Sequence, residues 1–182
     1  MTPADARAHI GATARRMLNH EAGVPARTRH LLAVHGYACL IADGEGLTLD
    51  GPDCTLRLII ELAALTHDIG IRPALATHGS SAGPLQEELG APLARDLLDD
   101  LGLPAEISDR VAGLVGSHHS YGGERGLDHQ ILIEADFLVN FLESSYTEEA
   151  MAHTLASVFR TPTGSSLARE LYQLQPPRDF TR

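Results

Sequence analysis

The chain has 182 residues, 43% of them apolar and 21% charged, and its 14 Lys and Arg against 24 Asp and Glu leave a formal charge of −10. That balance suits one folded domain with a substantial core, and it excludes a disulfide-dense scaffold, a four-thiolate zinc site (only Cys39 and Cys54 are present) and any run near the ~18 apolar residues of a membrane span. The acidic excess disfavours a nucleic-acid polymer as partner, and the charged stretch from Met1 to Met17 lacks the apolar region of a signal peptide, so a cytoplasmic location is expected.

Thr2-Pro3 followed by Asp5 starts a first helix that runs to about Glu21. Pro25 opens a second, with Val34, Tyr37, Ala38 and Ile41 as its apolar stripe and Gly44-Glu45-Gly46 as its end. Gly51-Pro52-Asp53 opens a third, which carries Leu56, Ile59, Ile60, Ala63 and Ala64 on one side and stops at Gly70. From Ile71 to Pro84 the chain reads as a long irregular stretch containing His78-Gly79-Ser80-Ser81, and loops of that length are often functional. A fourth helix carries Leu85, Leu89, Leu93 and Leu97 and ends near Gly102; Leu103-Pro104 starts a fifth, with Ile107, Val111, Leu114 and Val115 inward. A Gly-rich turn from Tyr121 to Gly126 leads into an apolar helix over Gln130 to Glu143, where Phe137 and Phe141 read as core. Thr147-Glu148-Glu149 caps another helix that ends before Pro162, and the last spans about Ser165 to Leu174. No period-2 alternation stands outside segments that also fit a helix. The predicted fold is all-α, a bundle of roughly seven to nine helices.

Function is sought in the ionisable residues that fall on apolar stripes. His30 lies four residues before Val34 on one helix face, His67 continues the row Ile60, Ala63 and Ala64 with Asp68 next to it, and His118 continues Val111, Leu114 and Val115. Asp136 sits within Ile131 to Val139, aligned with Leu132, Ile133 and Val139, whereas Glu134 is about 200° away around the helix and is expected to point outward. Any one of these histidines alone reads as a satisfied core residue, and a single buried Asp as a hydrogen-bonded one. His35, His78, His129 and His153 stand out by nothing in their helical position, and Cys39 and Cys54 read as small buried hydrophobes. The coincidence is what carries weight. Three imidazoles and two carboxylates on the inner faces of four helices are hard to satisfy except around a shared cation. Without a thiolate, the donor set suits Mn, Fe, Co, Ni or Zn, and Mg less well.

Thr66-His67-Asp68-Ile69-Gly70 at the end of an apolar helix resembles the signature of the HD superfamily of metal-dependent phosphohydrolases. His30 with Val34 and Ala38 is similar to that family's first-histidine helix, and Glu134-Ala135-Asp136 to its distal aspartate, so the ordered set spans roughly residues 25–143. The resemblance implies a single HD domain over 1–182, with the first helix and the C-terminal helices packed on that core. It implies that His30, His67, Asp68 and Asp136 hold a divalent metal. Ser117-His118-His119-Ser120 resembles the histidine pair that many members place beside the metal, and Ser80 to Glu87 with Gly90 and Ala94, together with Gln130 to Asn140, resembles a largely uncharacterised bacterial subgroup. Two departures stand out. Many members have Lys after His-Asp-Ile-Gly, where this chain has Ile71 and then Arg72; and members with a second metal supply further histidines where Glu87 stands here, so one metal per chain is expected.

The activity this resemblance implies is hydrolysis of a nucleotide or other small phosphorylated substrate by metal-activated water, with Asp68 counted among the catalytic residues. His118 or His119 is the candidate for binding phosphate or protonating the leaving oxygen. Glu87 and Gln86 are candidates to orient water, Glu87 also as a base, and Arg72 and His78 join Gln86 as candidate substrate-binding residues. Two other readings compete: a dinuclear-iron oxygenase on the same scaffold, drawing extra ligands from His78, His118 or His119, and a non-catalytic module in which metal only ties helices together.

Overall fold

The computed structural model of the chain describes residues 1–121 and 126–174; most of the predicted turn from Tyr121 to Gly126 lies outside the described residues. Among these residues the architecture is all-α, with nine helices and no strand. In chain order they are α1 (Pro3–His20), α2 (Pro25–Gly44), α3 (Cys54–Thr66), α4 (Ile71–His78), α5 (Gly83–Asp100), α6 (Ala105–Val115), α7 (Leu127–Glu143), α8 (Glu148–Val158) and α9 (Pro162–Tyr172).

The start of α1 is a reciprocal capping box: the Asp5 N–H donates to Thr2 Oγ1 at 3.2 Å, and the Thr2 N–H donates to Asp5 Oδ2 at 3.1 Å. At the centre lies α3, which packs against α1, α2, α6 and α7 and is buried continuously from Arg57 to Thr66. An all-round apolar helix has no solvated face to offer and must be enclosed. Leu58, Ile60, Leu62 and Leu65 are fully enclosed there, and each such side chain contributes about 1.5–3 kcal/mol by leaving water. The neighbouring α7 is enclosed in the same way from Gln130 to Val139, and Phe137 and Phe141 belong to the core as expected. Helices α5 and α6 form an antiparallel pair beside α3, α4 rests on α5, and α9 rests on α2 and α7.

Three expectations are corrected. The stretch from Ile71 to Pro84 is largely helical, since Ile71–His78 forms α4 and only 79–82 remain outside a helix. Pro73 lies in the first turn of α4, where a missing N–H costs nothing, and Gly79 closes the helix in the left-handed region at φ 66°. Helix α9 begins at Pro162 rather than Ser165, because Thr161 caps it by accepting from the Gly164 N–H at 2.9 Å. Glu134 does not face outward. It is fully buried, and its carboxylate accepts from Gln130 Nε2 at 2.6 Å, the Arg160 N–H at 2.6 Å, the Thr161 N–H at 2.9 Å and the Thr161 hydroxyl. The face of α7 opposite Asp136 is covered by the link between α8 and α9, which helical periodicity within α7 cannot reveal.

Gly70 fixes how α3 and α5 meet. A Cβ at this position would stand 2.0 Å from the Gln86 carbonyl oxygen and 2.8 Å from the Gly90 nitrogen, so only glycine lets the backbone after α3 lie directly on α5.

Candidate metal centre

Helix α3 ends at Thr66, and His67 is its C-cap, with the His67 N–H still donating to the Ala63 carbonyl at 2.8 Å. The chain then turns tightly into α4 through Ile69 N–H to Thr66 O at 2.9 Å and Ile71 N–H to Asp68 O at 3.0 Å. This unwinding lets two consecutive residues, about 100° apart on a regular helix, face one point. From α2 comes His30, from α7 Asp136, and from the turn after α6 His118.

The reactive ends converge. His30 Nε2 stands 3.3 Å from His67 Nε2, 3.2 Å from Asp136 Oδ1 and 3.5 Å from Asp68 Oδ2, and His67 Nε2 is 3.6 Å from each of the same two oxygens. Ligand atoms about 2.1 Å from one cation stand roughly 3.0 Å apart at octahedral angles and roughly 3.4 Å apart at tetrahedral ones, so these separations suit a shared ion. His118 Nε2 is 3.7 Å from Asp68 Oδ1, on the other side of that carboxylate.

The outer nitrogens decide the protonation. His67 Nδ1 donates to the Ala64 carbonyl at 3.0 Å and His118 Nδ1 to the Val115 carbonyl at 2.8 Å; a carbonyl only accepts, so both rings carry their proton on Nδ1. His30 Nδ1 donates to Glu143 Oε2 at 2.9 Å. The three Nε2 atoms therefore point inward, toward two carboxylates, where a proton or a cation can lie between them, and His118 Nε2 is buried with no hydrogen-bond partner. Lone pairs facing lone pairs repel unless positive charge lies between them. The donors fit a divalent cation, and their outer bonds are the kind that fix the tautomer of a metal-ligating histidine.

The electrostatics agree. Burial alone would depress the His30 pKa, yet its bond to Asp136 and the charges of Asp68 and Asp136 outweigh this and raise it to about 9. His67 is raised against the same burial by Asp68 and Asp136. Asp68 and Asp136 would be raised by burial, but their imidazole neighbours hold both well below the usual carboxylate range. The pocket stabilises carboxylate charge and calls for positive charge.

No family model and no curated protein sequence matches the chain. Among solved structures, the chain is similar to the crystal structure of a predicted HD superfamily hydrolase from an uncultured Thermotogales bacterium, at 26% identity and a TM-score of 0.61, covering 92% of this chain and 84% of that one. The chain has the fold of an HD-domain protein.

Within this HD-type fold the residues expected beside the metal divide into two groups. Gln86, Glu87 and His119 lie together with His118. The His119 N–H donates to Glu87 Oε1 at 2.8 Å, Gln86 Nε2 donates to His119 Nε2 at 3.2 Å, and Gly83 lies close against the His119 ring. Glu87, His118 and His119 also satisfy the spacing of a metal-ligating group, next to the first. Burial and the neighbouring His118 lower the His119 pKa, so that ring is neutral at pH 7. Arg72 and His78 are placed elsewhere. The Arg72 guanidinium donates to the His20 carbonyl, and to the Ala22 carbonyl at 3.4 Å, at the C-terminus of α1; His78 is exposed as the last residue of α4. Among the described residues, no hydrogen bond or ion pair joins either to the metal-ligand group. Arg72 Nη1 is thus committed to carbonyls at the C-terminus of α1.

Sequence reading missed Glu143. It follows Asp136 by seven residues and shares its face of α7, so His30 meets Asp136 through Nε2 and Glu143 through Nδ1. That spacing was the available signal. Tyr121 was missed as well: its ring packs on Phe137 at 5.1 Å between centroids, and burial, with the charge of Asp136 second, raises its phenol to about 12.

Proposed function

We propose that this protein is a metal-dependent phosphohydrolase that cleaves a nucleotide or another small phosphoester. The observation supporting this most directly is the convergence of the His30 and His67 Nε2 atoms with the Asp68 and Asp136 carboxylates on one buried point, with His118 Nε2 against the other oxygen of Asp68. His30, His67, Asp68 and Asp136 would hold the cation, with His118 on the far side of Asp68. A divalent ion there supplies charge that acidifies water and draws electron density from a phosphoryl oxygen.

The chain's own residues do the rest. Glu87, anchored by the His119 N–H, offers a carboxylate to orient water and accept its proton. His119 accepts from Gln86 at Nε2, and its Nδ1 is enclosed 3.6 Å from Glu87 Oε1, so the ring positions Glu87 rather than donating to a phosphoryl oxygen. His118 is too enclosed for that role and serves as a donor to the metal side. Arg72 and His78 have no part in it. The charge of −10 repels a polyanion at a distance, which favours a small substrate drawn in by the local cation.

The oxygenase reading has one observation in its favour, the second donor group of Glu87, His118 and His119 beside the first. Metal analysis separates the two. One tightly held divalent ion per chain, with turnover of phosphoesters in Mn, Mg, Co or Ni, is expected; two irons per chain and no phosphate release would overturn the phosphohydrolase. His67→Ala and Asp68→Ala are expected to lose metal and turnover together, and phosphate release by metal-free Asp68→Ala would contradict the mechanism.

A further inference from the structure

A second convergence lies outside this centre. His35 and Cys39 are one helical turn apart on α2, and Glu61 reaches them from α3. His35 Nε2 stands 2.9 Å from Glu61 Oε2 and 3.7 Å from Cys39 Sγ, and the three ligand atoms lie within 4.8 Å of one another. A sulfur and a nitrogen bound to one tetrahedral zinc ion stand about 3.6 Å apart. Cys39 is half-buried rather than the enclosed hydrophobe its sequence suggested, and His35 is half-buried too, so solvent and an ion can reach them.

Sulfur and carboxylate face the same nitrogen, and an Nε2 proton directed to Glu61 Oε2 leaves Cys39 Sγ with only its own weak S–H for a bond. A cation at the common vertex serves all three. The carboxylate is held in place for it: Arg57 Nε donates to Glu61 Oε1 at 2.7 Å, which leaves Oε2 aimed at His35, and Arg57 is itself anchored by Asp43 and the Leu47 carbonyl at 2.9 Å. With Cys39 as thiolate, the negative charges of Cys39, Glu61 and Asp43 balance Arg57 and one divalent ion. We propose that His35, Cys39 and Glu61 form a second divalent-cation site, of the zinc class, that ties α2 to α3. Thiolate and imidazole together select a softer ion than the nitrogen and oxygen donors of the catalytic centre. The site lies on the two helices that carry His30 and His67, so its ion also fixes the spacing between those ligands.

Cobalt tests this, because thiolate-to-cobalt charge-transfer absorption requires a sulfur ligand and the catalytic centre has none. Chelator-stripped full-length protein titrated with Co2+ is expected to show that absorption. It should persist in Cys54→Ser and in His67→Ala, and disappear in Cys39→Ser, with zinc stoichiometry falling by one equivalent. Helical circular dichroism checks that the variants fold. In unmodified protein, Zn2+ is expected to slow alkylation of Cys39 and leave Cys54 unchanged. Absence of the absorption with Co2+ in excess, its survival in Cys39→Ser, or equal alkylation rates with and without Zn2+ overturns the proposal. Because the absorption reports on sulfur alone, the outcome is independent of phosphoester turnover.

Discussion

A histidine is set up as a candidate ligand here by the nitrogen it turns outward. His67, His118 and His30 each commit Nδ1 outward, to Ala64, Val115 and Glu143, and so present Nε2 inward. Glu143 is the one outer partner that is a side chain, and it can be removed without touching a ligand. Glu143→Gln and Glu143→Ala are expected to weaken metal binding about 10–100-fold, read by competition with a chelating dye, because the His30 ring loses its orientation and basicity. Unchanged affinity would mean that packing alone orients the ring. Proton competition acts at the same nitrogen. With His30 raised to about 9, a proton must leave before an ion binds, so affinity rises with pH through the neutral range and falls about tenfold per unit for each proton displaced on acidification.

At the scale of elements, the site depends on how helix ends are held. The unwound segment 67–70 presents the His-Asp pair, and Gly70 brings it down on α5. The approach of α6 to α7 is fixed by a bidentate pair, Arg110 Nε and Nη2 each donating to the Asp128 carboxylate at 2.7 Å. Asp128 is 5% exposed and Arg110 46%, so the two partners are unequal. Arg110→Ala leaves a buried charge unpaired and is expected to cost about 2 kcal/mol in denaturant unfolding, more than Asp128→Ala, which frees a guanidinium already in contact with water. Burial would raise Asp128, but Arg110 and the His129 N–H outweigh it and lower its pKa. A lowered folded value means that the pair stabilises above the unfolded carboxylate pKa of about 3.9 and is lost as pH falls through the folded value. The penalty of Arg110→Ala should therefore shrink as pH drops below about 4. A penalty that stayed constant on acidification would assign the loss to packing of the arginine stem.

Across the molecule, the proposed cation joins segments more than a hundred residues apart, from His30 to Asp136. An ion that binds only the folded chain stabilises it by mass action, about 2.7 kcal/mol at a hundred times its dissociation constant. For a chain of this size that corresponds to an unfolding midpoint roughly 5–10 °C higher, and chelation should reverse it. No shift with Mn, Co, Ni or Zn would remove the metal from the account. Among the described residues, no helix is long and apolar enough to cross a membrane.

The helices and the four converging side chains, His30, His67, Asp68 and Asp136, were legible in the sequence for local reasons. Capping by Thr2 and Asp5, the apolar stripes, and His-Asp beside a helix-ending Ile-Gly are written within a few residues of each other. Asp136 was legible because a carboxylate within the run from Ile131 to Val139 has no solvated face to occupy. What remained hidden depended on partners distant along the chain. Glu134 is buried because the link between α8 and α9 lies over it, Arg72 is engaged because α1 ends beside α4, and Glu143 matters because α7 crosses α2. His35 and Cys39 show one turn of a helix in sequence, and only the packing of α3 against α2 adds Glu61 to them. Periodicity reports which face of a helix turns inward, whereas the partner that face meets is chosen by tertiary packing.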